Sequence, residues 1–406
     1  MAAVSEKKAR MALLLLSLVV NLGMLAYFKY FNFFVDSFTD LLSLFGLHIR
    51  FSTLKIILPV GISFYTFSAL SYCIDVYRQT VEPTYDWLAY FAFVTFFPSL
   101  LSGPISRATT QLPQYCARRV FSYDKAATGI KAILWGLFVK LCVADCLGVY
   151  IDTVYDSVDE HGGTTLLLAS ILYTIQIYAD FSGYSLIAIG SGKLLGIDLP
   201  ENFRRPYFSR TVTEFWRRWH ISLTTWFRDY IYFPLGGSRV KKTRWALNTL
   251  IVFLISGLWH GAAYTFIIWG ALHSALMILE RLLYGKRLKS IPDRPCPGNA
   301  IRIIVTFCLV SLTWVFFRMG TTEEAVTVIG KIITDFGMPF LDYSLVPASL
   351  SMVILFVKDY VDEYHSGIRL LSSRHTVIRY ATCVALISYI LLMGELDGAS
   401  FIYFQF

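Results

Sequence analysis

Ten apolar runs follow one another along the chain, at about residues 11–34, 53–77, 87–103, 126–150, 164–195, 245–258, 262–280, 300–318, 343–360 and 376–394. A helix needs roughly 20 apolar residues to cross a bilayer. Inside hydrocarbon a backbone must satisfy its own hydrogen bonds, so irregular backbone survives there only where protein or water covers it. Several runs fall short of a full crossing. One of them, 87–103, leads into "FFPSLLSGPISR", where Pro98, Gly103 and Pro104 break a helix. Partial, re-entrant helices around a central cavity are therefore expected beside complete spans, in an all-α polytopic membrane protein.

Composition agrees. Charged residues make up 16% of the 406 and hydrophobic ones 56%, against about 25% and 45–50% in soluble chains. The opening "MAAVSEKKARMALLLLSLVVNLG" joins a basic start to an apolar run that continues to Phe34 with no cleavage signature; it reads as a first membrane helix. None of the seven cysteines forms a C-x-x-C pair, so neither a disulfide framework nor a zinc site is implied. The net charge of +8 collects in short clusters: Lys7-Lys8-Arg10, Arg118-Arg119, Arg204-Arg205, Arg239-Lys241-Lys242-Arg244 and Arg281-Lys286-Arg287-Lys289. Cytoplasmic loops of membrane proteins carry such clusters. Nucleic acid is not an expected partner; membrane lipids are, and the phosphates of an acyl carrier offer some clusters a second use. No repeat or linker divides the sequence, so residues 1–406 are expected to form one membrane domain.

Two stretches are amphipathic. In 320–336, "GTTEEAVTVIGKIITDF", a threonine cap and an acidic first turn open a helix suited to an interface. In 211–230, "TVTEFWRRWHISLTTWFRDY", Thr211 or Thr213 can cap and Glu214 lies in the first turn. At helical spacing Trp216, His220, Leu223 and Phe227 share one face, and Arg217, Ile221, Thr224 and Arg228 another. Such a helix is too charged to span lipid and too aromatic to be merely solvated.

His260 stands inside "SGLWHGAA", between an apolar arm at 245–258 and another at 262–280. With basic clusters at both outer ends, the arms form a hairpin with His260 near its turn. The first arm covers only about 21 Å at 1.5 Å per residue, which places the turn deep. An ionisable group at such depth is a functional candidate. His220 is a second candidate, as a positioning or acid–base group. His273 is a weaker one, and its offset of 13 residues from His260 gives no shared face for a metal. Asp180, in "YADFSGYS", can orient a histidine or a substrate hydroxyl, or can lock two helices by pairing with an arginine such as Arg217 or Arg228. Lys140 and Asp145 read as a structural pair, or Lys140 as a snorkelling lysine, and Arg107 follows the helix break and can face the cavity. No G-x-S-x-G elbow, Walker loop, H-E-x-x-H or dinucleotide fingerprint is present.

Four blocks, "LPVGISFYTFSALSYCIDVYR", "PSLLSGPISR", "YADFSGYSLIAIGSGKLLGIDLPENFRRPYFSRTVTEFWRRWHISLTTWFRDYIYFPLGGSR" and "GLWHGAAYTFIIWGALHS", resemble the membrane-bound O-acyltransferase family. The nearest branch is that of the bacterial alginate O-acetyltransferases, with the D-alanyl transfer proteins of teichoic acid modification more distant. The likeness runs from about residue 10 to the C-terminal "FIYFQF". It implies a ring of about nine to eleven transmembrane or re-entrant helices around a thin core with a funnel. It also makes His260 the family's signature histidine and His220 the second histidine of the branch. Relatives of the branch carry further membrane helices before the segment that begins here near Lys7, so an N-terminally shortened form is expected.

The resemblance further implies a multi-pass protein of the bacterial cytoplasmic membrane that moves acetyl from a cytoplasmic thioester, acetyl-CoA or another acyl donor, to hydroxyls of an extracellular polysaccharide, directly or through an exported accessory acetyltransferase. A thioester is already activated, so one base suffices, without a resident cofactor. His260 is assigned that role, with His220 holding the acceptor or polarising the thioester carbonyl. Trp216, Trp219 and Trp259 line the channel, and Asp180, Arg107 and Arg217 are further candidates for substrate contact. A covalent acyl-histidine is the rival scheme. D-alanyl or other acyl transfer to a cell-wall polymer, an acyl- or lipid-carrier transporter without chemistry, and a scaffold for polysaccharide machinery are the alternatives.

Overall fold

All regular structure among the described residues is helical, as the long apolar runs require. The computed structural model describes residues 6–49, 53–285, 294–365, 367–368, 370–396 and 401–402. Lys286, Arg287 and Lys289 of the last basic cluster, and residues 403–406 of the C-terminal motif, lie outside them. Six stretches are long and apolar enough to cross a membrane: Lys7–Leu44, Tyr123–Tyr155, Gly163–Leu194, Tyr264–Tyr284, Pro297–Arg318 and Thr376–Met393. The protein is accordingly an all-helical multi-pass membrane protein. It divides into two units, residues 1–122 with 195–200, and residues 123–194 with 201–406.

In the first unit α1 (Lys7–Leu25) continues through a π-helical turn, Ala26–Tyr30, into α2 (Phe31–Leu44). Shorter helices follow: α3 (Ile62–Tyr77), α4 (Trp87–Val94), α5 (Phe97–Leu100) and α6 (Ala108–Cys116). The break expected near Pro98 is present, with Pro98 in the first turn of α5, where its missing N–H costs nothing. The run 53–77 becomes helical only at Ile62, because Gly61 precedes it at φ 73°, in the left-handed region that glycine enters without strain. Arg107 occupies the N-cap of α6 in extended backbone.

In the second unit α7 (Tyr123–Leu137), a π-helical segment Phe138–Asp145 and α8 (Cys146–Tyr155) form one continuous stretch. It packs against α9 (Gly163–Leu194), the central helix, 83% of whose most apolar window is buried. The two backbones touch through glycines spaced seven apart on each. A Cβ at Gly136 would lie 2.7 Å from the carbonyl oxygen of Gly183, and one at Gly190 would lie 2.5 Å from that of Gly129. Small residues allow this close approach where helix association depends on packing.

Then come α10 (Val212–Arg218), α11 (Ile221–Phe227), α12 (Lys242–His260), α13 (Tyr264–Tyr284), α14 (Pro297–Arg318), α15 (Thr322–Thr334), α16 (Leu345–Tyr364) and α17 (Thr376–Met393). The expected cap of α15 is a full capping box between Thr321 and Glu324.

Candidate functional site

The hairpin expected around His260 is α12 followed by α13. Its helices meet backbone to backbone: a Cβ at Gly257 would lie 2.2 Å from the oxygen of Phe266, and one at Gly270 would lie 2.3 Å from the oxygen of Phe253. The first arm is longer than its apolar run suggests. Helix α12 begins at Lys242 and ends on His260, 19 residues, or about 28 Å. Its charged start is accommodated because the Arg281 guanidinium lies 4.0 Å over the Trp245 ring, a cation–π contact that shelters both. The arm is therefore no measure of where His260 lies; what the structure shows is its burial within the protein. Only 4% of the residue is exposed, and its ring meets Trp259, Trp269 and Phe317 at centroid distances of 4.8, 5.1 and 5.2 Å. At the next position a Cβ on Gly261 would lie 2.0 Å from the Phe266 ring, so a larger residue there must displace that ring.

The 211–230 stretch departs from a single amphipathic helix. Thr211 caps α10 as expected, its side chain accepting the Glu214 N–H, but the helix ends at Arg218 and a new one starts at Ile221. The cause lies upstream. The Arg204 N–H donates to the Arg218 carbonyl, and the Ile221 N–H donates to the Asn202 carbonyl, each at 2.9 Å. Residues 202–204 thus capture backbone groups that a continuous helix would pair internally. Between the two clamps His220 takes φ 41° and ψ 54°, a left-handed conformation that costs about 1–3 kcal/mol outside glycine and clusters at functional sites. Trp216, His220, Leu223 and Phe227 consequently share no continuous helical face.

His220 is completely buried, and burial pushes its imidazole well below the ordinary histidine value, so the ring is neutral at physiological pH. Its Nδ1 lies 3.0 Å from Oδ1 of Asn202. Its ring meets Phe181 edge-on at 4.6 Å, Trp259 at 5.9 Å and Phe203 at 6.4 Å. Trp259 therefore touches both His220 and His260. From His260 the aromatic chain continues through Trp269 to His273 and Trp216, while Phe203 joins His220 to Trp219 at 5.0 Å.

His273 has a structural role. The Trp216 Nε1–H points to its Nδ1 at 3.3 Å, so Nδ1 accepts. Its Nε2 then carries the proton and donates to Thr313 Oγ1 at 2.9 Å, whose own hydroxyl donates to the Val310 carbonyl. Both ring nitrogens are spent, and the orientation of Trp216 is held with them.

Asp180 pairs with neither Arg217 nor Arg228. Its Oδ1 lies 2.6 Å from Lys140 Nζ, and its Oδ2 accepts the Ile402 N–H at 2.8 Å. Lys140 also bonds Asp145 at 2.6 Å, the pair expected from the sequence. Lysine wins because the Gly136–Gly183 contact brings the π-helical segment against α9. Arg228 instead bonds its neighbour Asp229, and Arg217 lies exposed on α10. Arg107 belongs to the first unit and is partly buried there. Among the described residues no group of three or more His, Cys, Asp or Glu side chains could hold a metal ion.

Sequence reasoning missed Asn202, Trp269, Trp314 and Phe317. The last three had a signal: Trp269 is one turn before His273, and Trp314 and Phe317 lie three apart on α14, so each pair projects from one face of its helix. Asn202, in "LPENF", gave none, since its bond to His220 depends on the loop folding back.

A model described as the membrane-bound O-acyltransferase family matches residues 79–319. The probable alginate O-acetylase of Pseudomonas aeruginosa is 42% identical over 77% of this chain and 58% of its own length. That of Azotobacter vinelandii is 43% identical over 77% of this chain and 61% of its own. The peptidoglycan O-acetyltransferase of Helicobacter pylori is 35% identical over 79% and 64%. The chain thus spans about six tenths of the length of these relatives. With its family model covering more than half of it, the chain belongs to the membrane-bound O-acyltransferase family.

Proposed function

We propose that this chain is a membrane O-acyltransferase of the bacterial cytoplasmic membrane, passing acetyl from a cytoplasmic thioester, acetyl-CoA in the first instance, toward hydroxyls of an extracellular polysaccharide. The observation that carries the proposal is His260: a titratable ring ending α12, 4% exposed and walled by Trp259, Trp269 and Phe317. The names of the relatives, alginate O-acetylase and peptidoglycan O-acetyltransferase, support acetyl as the group and a glycan as the acceptor.

In this scheme His260 takes the proton of the attacking hydroxyl as its oxygen bonds to the thioester carbonyl carbon. The tetrahedral intermediate collapses, the carbon–sulfur bond breaks, and the imidazolium returns its proton to the departing thiolate. The products are an acetyl ester and free thiol, with no resident cofactor consumed. General-base catalysis of this kind is worth about 10²–10⁴-fold, and fixing both substrates in a dry enclosure adds to it. Trp259 touches both histidines, while Trp216 reaches His260 through Trp269 and Trp219 reaches His220 through Phe203.

Purified full-length chain given labelled acetyl-CoA and an oligosaccharide acceptor tests the proposal. Label moves to the glycan as an alkali-labile ester, and His260→Ala lowers the rate by at least about 10²-fold. Transfer that survives His260→Ala removes the assigned base. Passage of label across a vesicle wall without ester formation favours a transporter.

A further inference from the structure

We propose that Asn202 is a positioning residue that holds His220 as the Nδ1–H tautomer, so that Nε2 presents a lone pair to a hydroxyl of the acceptor. The role in transfer rests on the acetyltransferase function above; the tautomer rests on geometry alone.

Three donors converge on one carboxamide oxygen. Oδ1 of Asn202 lies 3.0 Å from His220 Nδ1, 2.8 Å from Ser222 Oγ and 3.3 Å from the Ser222 backbone nitrogen. A backbone N–H only donates, so the carboxamide atom facing it must be oxygen. The other end agrees: Asn202 Nδ2 donates to Ser185 Oγ at 3.2 Å. An oxygen cannot donate to the imidazole, so His220 Nδ1 carries the hydrogen. A neutral imidazole has one N–H, which leaves Nε2 bare.

That nitrogen is buried and makes no hydrogen bond among the described residues. Around the ring stand Phe181, Trp259 and Phe203, none of which offers it a partner in the structure. Buried polar atoms are nearly always satisfied, and an exception calls for a reason. The contrast with His273 is direct, since there both nitrogens are bonded within the protein. His220 spends one nitrogen on its orientation, in a strained backbone held by residues 202–204, and keeps the other.

A bare nitrogen can accept an O–H but cannot donate to a carbonyl oxygen. The two roles open to His220 are thereby separated. It holds a second hydroxyl of the acceptor, beside the one whose proton His260 takes, and does not polarise the thioester. Trp259, in contact with both histidines, places that hydroxyl one ring from His260.

Nitrogen-15 NMR of histidine-labelled full-length protein tests the tautomer, with the His220 signals assigned by their absence in His220→Gln. Nε2 is expected in the unprotonated range and Nδ1 in the protonated range; the reverse assignment overturns the proposal. Oligosaccharide should move the Nε2 signal and acetyl-CoA should not; a shift only with acetyl-CoA also overturns it. In kinetics, Asn202→Leu is expected to lower kcat/KM for the oligosaccharide roughly 10- to 100-fold while KM for acetyl-CoA changes less than about twofold. Asn202→Asp, which keeps an acceptor oxygen at the same place, recovers most of the loss. Equal losses toward both substrates, or no recovery by Asp, would mean that Asn202 serves only the fold. If wild-type protein transfers no acetyl, the proposed function fails, while the tautomer and the hydroxyl contact are still decided by the NMR titration.

Discussion

Lys140 and Asp180 meet at 2.6 Å between the π-helical segment after α7 and the central helix α9, and the same ammonium holds Asp145 at 2.6 Å. Asp180 is 2% exposed and also accepts the Ile402 N–H, so the cluster fastens residues near the C-terminus to the core. One cation thus serves two buried carboxylates. Removing one partner of a buried pair leaves an uncompensated charge, at about 3–5 kcal/mol. Lys140→Met is expected to cost that much, because it strands both acids. Asp180→Asn leaves Lys140 with Asp145 and should cost about 1–3 kcal/mol. Thermal unfolding in detergent, followed by tryptophan fluorescence, ranks the two; a costlier Asp180→Asn would contradict the shared-cation arrangement.

The glycines that join α12 to α13 make a second prediction. Gly257 and Gly270 each face a partner carbonyl at a distance no Cβ tolerates, so Gly257→Ala and Gly270→Ala must push the hairpin apart. Overpacking of this kind costs about 1–3 kcal/mol, and because His260 ends α12 the displacement reaches the candidate base. Gly330 in α15 has nothing within 4 Å of its would-be Cβ. Gly330→Ala should therefore stabilise by about 0.5–1 kcal/mol through helix propensity alone. Equal behaviour of the three variants in thermal unfolding would show that the hairpin contact is not tight.

These relationships differ in how far they could be read from residue order. The His260 hairpin was legible because its signal is local: two apolar arms, a histidine and flanking glycines within about 35 residues. The individual helices, the cap at Thr211 and the capping box at Thr321 are also local. The break at His220 was not legible, since its cause, the pairing of residues 202–204 with 218–221, competes with a helical pattern that is sound on its own terms. Nor was the partner of Asp180, because choosing Lys140 over an arginine requires knowing that Gly136 meets Gly183. The seven-residue spacing of Gly129 with Gly136, and of Gly183 with Gly190, was the available clue.

Glu214 supplies a pH dependence with a defined sign. Burial alone would raise its carboxyl, but hydrogen bonds from Arg210, and the nearby charges of Arg218 and Arg210, outweigh this and hold it below the ordinary glutamate value. The same network continues from Arg218 to Glu363 and on to Arg205. A carboxyl depressed in the folded state stabilises fully above its unfolded value, about 4.3, and loses that contribution as pH falls through the folded value. The wild type should therefore be more stable than Glu214→Gln at pH 7, and the gap should narrow steadily below about pH 4. A gap that widens in acid would reverse the assignment.

The three buried histidines should separate by which property each substitution damages. His273 bonds through both nitrogens to Trp216 and Thr313, so replacing it leaves the indole N–H without its acceptor in a dry core. An orphaned buried group costs about 1–3 kcal/mol, and His273→Leu is expected to lower the unfolding temperature by several degrees. Its effect on acetyl transfer should stay within about tenfold, arriving through a loosened Trp216. His260→Ala should do the opposite, with transfer falling at least about 10²-fold. Its thermal loss, set against its loss of transfer, should be much smaller than that of His273→Leu. Measuring transfer and unfolding on the same preparations separates the two. If His273→Leu abolished transfer while leaving the unfolding temperature unchanged, His273 would belong with the reacting groups and its assignment as a structural residue would be wrong.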